Sequence, residues 1–304
     1  NSNLLPQLPM LPNGLINLNC SNNPLGNLPF MPASLVSLSC NSILLTILPV
    51  LPAGLNYLSC SDNSLNQLPV LPTTLLTLYC GFNVLNSLPA LPSGLKLLNC
   101  RVNNLTILPT LPPGLQQLDC ALNLIPSLPV LPATLQFLDY SSNPISTLPV
   151  LPSSLTQLIW NLNTTPVLPV LPNSLLSLIC SNSSIDSLPL LPSGLKHLEC
   201  RSDSLAFLPS LPSTLTYLDF SDNFLNVMPN IPLTLNTFYF ANNLISYLPY
   251  IPSPVRNFDC GSNLNLSCLP KIPPQLDTFR IYNTSITCLP NYFEMVYLGK
   301  IYPL

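Results

Sequence analysis

The chain repeats itself every twenty residues, and each repeat carries a pair of prolines. Residues 48–52 and 68–72 both read LPVLP. One proline column runs from Pro9 through Pro29 and Pro49 to Pro249, and a second follows three residues later, from Pro12 to Pro252. Leu15, Leu35, Leu55 and Leu75 begin a leucine column, and Leu18, Leu38, Leu58 and Leu78 begin another. The spacing holds to Asn263, after which one extra residue enters near Leu264 and Asn265. A fixed period of this length predicts stacked, near-identical coils rather than a globule with one centre. We divide the chain into regular repeats over 1–262, irregular last repeats over 263–290, and an aromatic, non-repeating C-terminal cap over 291–304.

The residue types dictate how each coil runs. Around Tyr57-Leu58-Ser59-Cys60-Ser61 the polar–apolar alternation has period two, which predicts a short strand with Leu58 and Cys60 facing the core. Asn63 ends it, since an amide can both donate to and accept from backbone groups where the chain turns. Asn fills this column in most units, with Ile43, Ser183 and Asp203 as exceptions, where a weaker amide ladder is expected. LPVLP cannot be an α-helix, because each proline removes a donor and biases its predecessor away from helical angles. In a polyproline II path of three residues per turn, Leu48 and Leu51 share one side, which must be the core. One coil cannot bury its apolar face alone, but a stack can. The predicted fold is a curved solenoid of about fourteen coils, with a parallel β-sheet on the concave face, extended segments on the convex face and almost no helix. At ~4.8 Å per strand, it spans about 65 Å.

The unit L-x-x-L-x-C-x-x-N-x-L-x-x-L-P-x-L-P resembles the leucine-rich repeat family, on Leu55, Leu58, Cys60, Asn63, Leu65 and Leu68 and their successors through nearly the whole chain. The twenty-residue length and LPxLP are similar to the short bacterial subclass found in secreted effectors and surface proteins. The closing NLNLSCLPKIPPQLDTFRIYNTSITCLPN is most similar to such proteins exported by Bacteroidetes-type bacteria. The resemblance implies a bacterial extracellular or cell-surface location. The start at Asn1, with neither an initiator Met nor a signal-peptide pattern, leads us to expect a processed or trimmed piece of a longer precursor.

Nine cysteines occupy the Cys60 column, which also admits Tyr140, Trp160, Phe220, Phe240 and Ile281. A position that accepts Trp or Phe faces the core. A straight row of thiols also fails to converge as a tetrahedral zinc site must, so we expect buried, reduced thiols and no metal. Cys268 and Cys288 stand apart, each directly before an LP pair and one unit apart, and we expect them to form a disulfide.

Composition narrows the function. Charged residues make up only 6% and the net charge is -3, so the basic footprint of nucleic-acid binding is missing. No apolar run reaches the length of a membrane helix. Any site must lie on outward strand positions, and the candidates there are Tyr57, Tyr79, Phe82, Asp119, Phe137 and Asp139, then His197, Glu199, Arg201, Tyr217, Asp219, Tyr239 and Asp259. The densest group surrounds His197 and Asp219. Glu199 and Asp219 are expected side by side, a spacing that a retaining glycosidase uses, but a smooth strand surface offers no cleft to hold a sugar. His197 has no Ser or Cys nucleophile arranged with it. Too few oxygens accompany either carboxylate pair for a calcium site. The expectation is a non-enzymatic recognition or adhesion module without a cofactor, binding protein or glycan through the concave face. A ligand-free stalk or surface-layer element, and an effector that binds a host protein, are the alternatives. Asn-x-Ser/Thr sequons stand at Asn104, Asn163, Asn182, Asn265 and Asn283, and DSL at Asp186 and Asp203 resembles a Bacteroidetes O-glycosylation signal for Ser187 or Ser204.

Overall fold

The computed structural model describes residues 4–145, 149–163 and 168–291. The chain divides into two compact units, 1–155 and 156–304. Unit 1 carries β1 (Asn17–Asn19), β2 (Ser37–Ser39), β3 (Tyr57–Ser59), β4 (Thr77–Tyr79), β5 (Leu97–Asn99), β6 (Gln117–Asp119) and β7 (Phe137–Asp139). Unit 2 carries β8 (Gln157–Ile159), β9 (Ser177–Ile179), β10 (His197–Glu199), β11 (Tyr217–Asp219), β12 (Thr237–Tyr239), β13 (Asn257–Asp259) and β14 (Thr278–Arg280). Within each unit every strand pairs in parallel with the next, and equivalent residues lie opposite one another, as Leu58 does Leu78 and Leu198 does Leu218. The extra residue near Leu264 moves the last register by one, so that Asp259 lies opposite Arg280. No described residue is in an α-helix. Beyond Asn291, the expected cap lies outside the described residues.

The core is what the columns predict. Leu55, Leu58, Cys60 and Leu65 are fully buried, and Leu48 and Leu51 of the proline segment also face inward. The return path closes on a turn whose donor is a leucine N–H and whose acceptor is the second proline carbonyl, as in Leu55 N to Pro52 O at 3.1 Å. Proline thus stays in the network through the one polar group it keeps. The column thiols are buried and free. Cys40, Cys60, Cys80 and Cys180 each donate to a carbonyl of the following coil at 3.5 Å. Burial pushes the Cys60 thiol up to about 12. In unit 2 the larger occupants Phe220 and Phe240 pack with Phe238 and Phe258 into an aromatic core segment. Cys268 and Cys288 form a disulfide with an S–S distance of 2.14 Å.

The asparagine column ties coil to coil. Asn123 donates to Cys120 O and Ala121 O of its own coil and to Cys100 O of the preceding one, at 3.0, 3.2 and 3.1 Å. Its Oδ1 accepts Leu105 N of the preceding coil at 3.0 Å. Where Ile43 replaces Asn, Leu25 N turns to Asn23 O at 2.9 Å instead. Ser183 still donates to Trp160 O at 2.8 Å. Asp203 accepts Ser183 N at 2.7 Å through Oδ1, while its buried Oδ2 has no hydrogen-bond partner.

One outward column departs from the expectation. Ser59, Asp139, Asp219 and Asp259 are only 5%, 7%, 1% and 7% exposed. Ser59, Asp219 and Asp259 are short and stand beside longer in-register neighbours, Tyr79 for the first, Glu199 and Tyr239 for the second, and Tyr239 and Arg280 for the third. Each aspartate also folds back to accept a backbone N–H two residues on: Ser141, Ser221 and Gly261, at 3.0, 3.0 and 2.9 Å. Phe82 departs differently, since it follows β4 in a turn and has φ 53°.

Candidate recognition surface

Alternation sends the first and third residue of each strand outward, and parallel in-register pairing stacks those residues across the sheet. In unit 2 this sets His197 opposite Tyr217 in one outward column, while Tyr239, opposite Asp219 in the other outward column, reaches Tyr217 diagonally. The His197 ring stacks on Tyr217 at 4.1 Å, and Tyr217 meets Tyr239 edge-on at 6.2 Å. Below His197, its Nε2 lies 3.9 Å from Glu199 Oε2, within ion-pair range but too far for a hydrogen bond. The imidazole holds the Glu199 carboxyl below its ordinary range. Arg201 bridges two carboxylates, Asp219 at 3.5 Å and Asp222 at 3.7 Å. Arg280 reaches Asp259 at 3.7 Å. Burial raises the Asp219 and Asp259 carboxyls, and it pushes the Tyr217 hydroxyl up to about 12. Arg201, Asp219, Tyr239, Asp259, Arg280 and Tyr282 are among the residues around a cavity of about 180 Å³. Tyr282 lies against Gly261, where an added Cβ would come within 2.5 Å of the ring.

Unit 1 has a second hollow, of about 200 Å³, lined by Tyr79, Asn99, Gln117, Asp119 and Phe137 among others. Asn99 donates to Asp119 Oδ2 at 2.8 Å, and Arg101 stands 3.7 Å from the same oxygen. Asp119 lies opposite Asp139 in register. Burial first, and then the charge of Asp139, push Asp119 up to about 6. The Arg101 guanidinium also lies over the Phe82 ring at 5.6 Å. Tyr57 sits beside Tyr79, their rings 6.1 Å apart.

The sequence candidates therefore fall into two groups, one on each unit. Tyr57, Tyr79, Phe82, Asp119, Phe137 and Asp139 belong to unit 1. His197, Glu199, Arg201, Tyr217, Asp219, Tyr239 and Asp259 belong to unit 2. Sequence reasoning passed over Asp222, Arg280 and Tyr282. The one-residue insertion hides Arg280, because only a shifted count places it opposite Asp259. Among the described residues no group of three or more His, Cys, Asp or Glu is arranged to hold a metal ion. A further groove of about 420 Å³ lies on the return side of unit 2, between Tyr250 and Ile272.

No protein-family model matches the chain, and no curated protein is similar to it. Solved structures are similar. YopM of Yersinia pestis, a leucine-rich effector protein, shares 31% identity at a TM-score of 0.89, over 95% of this chain and 84% of that one. YopM of Yersinia enterocolitica shares 32% identity at a TM-score of 0.85, over 94% and 68%. InlJ of Listeria monocytogenes, whose functional domain includes a cysteine ladder, has the same fold at 24% identity and a TM-score of 0.71, over 84% and 59%. The repeating strand, the buried cysteine and asparagine columns and these likenesses agree: the chain belongs to the leucine-rich repeat family.

Proposed function

We propose that the chain is a non-enzymatic recognition module, exported by a bacterium or displayed on its surface, that binds a protein through its strand face. The observation carrying this reading is the ring cluster of His197, Tyr217 and Tyr239 beside the paired charges Arg201, Asp222 and Arg280. Rigid aromatic rings on successive strands give contact area at little entropic cost, and arginine-centred pairs give direction. Hydrolysis has weaker support. Asp219 is 1% exposed and engaged by Arg201 and Ser221, which leaves it unable to act as nucleophile or proton donor beside Glu199. The likeness to a leucine-rich effector supports an exported setting.

The test is binding of the full chain to an array of purified proteins and glycans. Tyr217→Ala with Tyr239→Ala is expected to weaken binding at least tenfold. Val170→Ser on the return path leaves it unchanged. An array without any binding, or one on which both variants bind alike, refutes the reading and favours a ligand-free stalk.

A further inference from the structure

The third residue after each strand is in the left-handed region, at φ between 53° and 59°, and two coils add a second such residue, Leu44 and Ser184, at 64° and 54°. The position recurs from Asn22 and Ser42 to Ser262 and Asn283. L residues resist this conformation, and Asn and Asp tolerate it best because their short side chains bond locally. Ten coils obey that preference with Asn, Asp or Ser. Four do not: Phe82, Val102, Leu122 and Leu162. Three of these are consecutive in unit 1, and one is β-branched, the worst type for this region.

The fold does not ask for these side chains. Phe82 and Leu122 are 48% and 45% exposed, and the same backbone bonds form where the residue is polar. Val84 and Leu124, two residues further on, are also exposed. Coils 4–6 thus hold Phe82, Val102 and Leu122 in a conformation that disfavours them, Phe82 and Leu122 facing water and Val102 half-buried between them in sequence. Backbone strain without a structural return is an observation that points towards a function.

The patch is continuous with the unit 1 hollow. Arg101 lies over Phe82 on one side and beside Asp119 on the other. Asp119 and Asp139 bring two carboxylates to this place, against one guanidinium. The local balance is negative, and Tyr79 and Phe137 wall the hollow with rings, which attract cations.

We propose that the turn residues Phe82, Val102 and Leu122 form a docking surface for a protein segment that lays apolar side chains on them and inserts one lysine or arginine between Tyr79 and Phe137 against Asp119. This rests on the reading of the chain as a recognition module, and it names a site on unit 1 and the chemistry of its partner.

The probe is a displayed library of random twelve-residue peptides, selected on the immobilised full chain. The key variant is the triple Phe82→Asn, Val102→Asn, Leu122→Asn. Because Asn suits the left-handed position, this variant is expected to melt about 5 °C higher than the parent. A loss of binding in it is therefore not a loss of fold. The expected result is enriched peptides with one basic residue among apolar ones, bound at least tenfold more weakly by the triple variant and by Asp119→Asn. Enriched peptides that the triple variant binds unchanged overturn this docking surface while leaving the recognition reading intact. No enrichment at all overturns both. A lower melting temperature in the triple variant shows the apolar residues to be structural and overturns the argument. Dimerisation of the parent that the variant abolishes, seen by sedimentation, assigns the patch to a second copy and also overturns it.

Discussion

Asp203→Asn is expected to stabilise the chain, and more so at alkaline than at acid pH. Asp203 stands where other coils have an amide. Its Oδ1 takes over the acceptor work, from Ser183 N at 2.7 Å and Ile185 N at 3.4 Å. The neighbouring Asn223 shows what the other atom does elsewhere, since its Nδ2 donates to Cys200 O, Phe220 O and Ser221 O at 2.8, 3.0 and 3.1 Å. In Asp203 that place holds Oδ2, buried and without a hydrogen-bond partner. Burial accordingly pushes the carboxyl from 3.8 to about 6. The folded state holds this proton more tightly than the unfolded state. The contribution is therefore fully present below pH ~4 and lost as pH rises through about 6. A two-unit shift corresponds to about 3 kcal/mol, and solvent at the partly covered edge reduces this to about 2 kcal/mol. Asn removes the titration and restores the donors. Urea or thermal midpoints at pH 4.5 and pH 8 give the answer, with a gain of about 2 kcal/mol at pH 8 and under about 1 kcal/mol at pH 4.5. Other carboxyls titrate in both proteins and cancel in the difference. An equal gain at both pH values, or a less stable Asn variant at pH 8, refutes the argument.

Asn123→Ala tests the same ladder from the other direction. It strands Leu105 N and removes three donated bonds, and a loss of about 3 kcal/mol in unfolding free energy is expected. Iodoacetamide at pH 8 is expected to leave the nine column thiols of the native chain unlabelled and to label nine in urea, read by intact mass. Labelling of the native column would show that the thiols are accessible. Replacing Cys268 and Cys288 by Ala opens a closure of 20 residues and is expected to cost about 3 kcal/mol, seen as earlier melting or faster amide exchange near Leu269.

Much of this architecture could be read from residues 48–72 alone. The alternation at Tyr57–Ser59, the inward Leu48 and Leu51, and the column that exchanges Cys60 for Trp160 each place a side chain by a rule of periodicity. The rest depends on what periodicity leaves out. Alternation marks Ser59 and Asp219 as outward, but it carries no information on how far a short side chain sinks beneath its neighbours. Asp203 was legible as a gap in the amide ladder, though not as a carboxyl with one buried oxygen lacking a partner. Phe82 looked like an outward aromatic, whereas its meaning lies in a backbone angle that no residue type announces. Arg280 was hidden by a single inserted residue, because a count by twenties places it one column away.

The bonds of the asparagine column, of Thr74 and of the column thiols run in one sense between coils, whereas Ser21 and Asn41 serve a backbone N–H of the coil after them. Asn123 serves Cys100 O and Leu105 N of the coil before it, Thr74 serves Ala53 O and Leu55 O, and the Cys60 thiol uses Tyr79 O of the coil after it. Through these three sets of bonds each coil is completed by its successor. A ribosome, however, delivers the predecessor first. An emerging coil waits with open carbonyls and amides until the next twenty residues leave the exit tunnel. Shortening such an array from its C-terminal side uncaps the coil that remains, whereas shortening it from the N-terminal side mostly removes coils that were being served. Within each unit, the molecule has a front and a back as a material, although its repeats look alike.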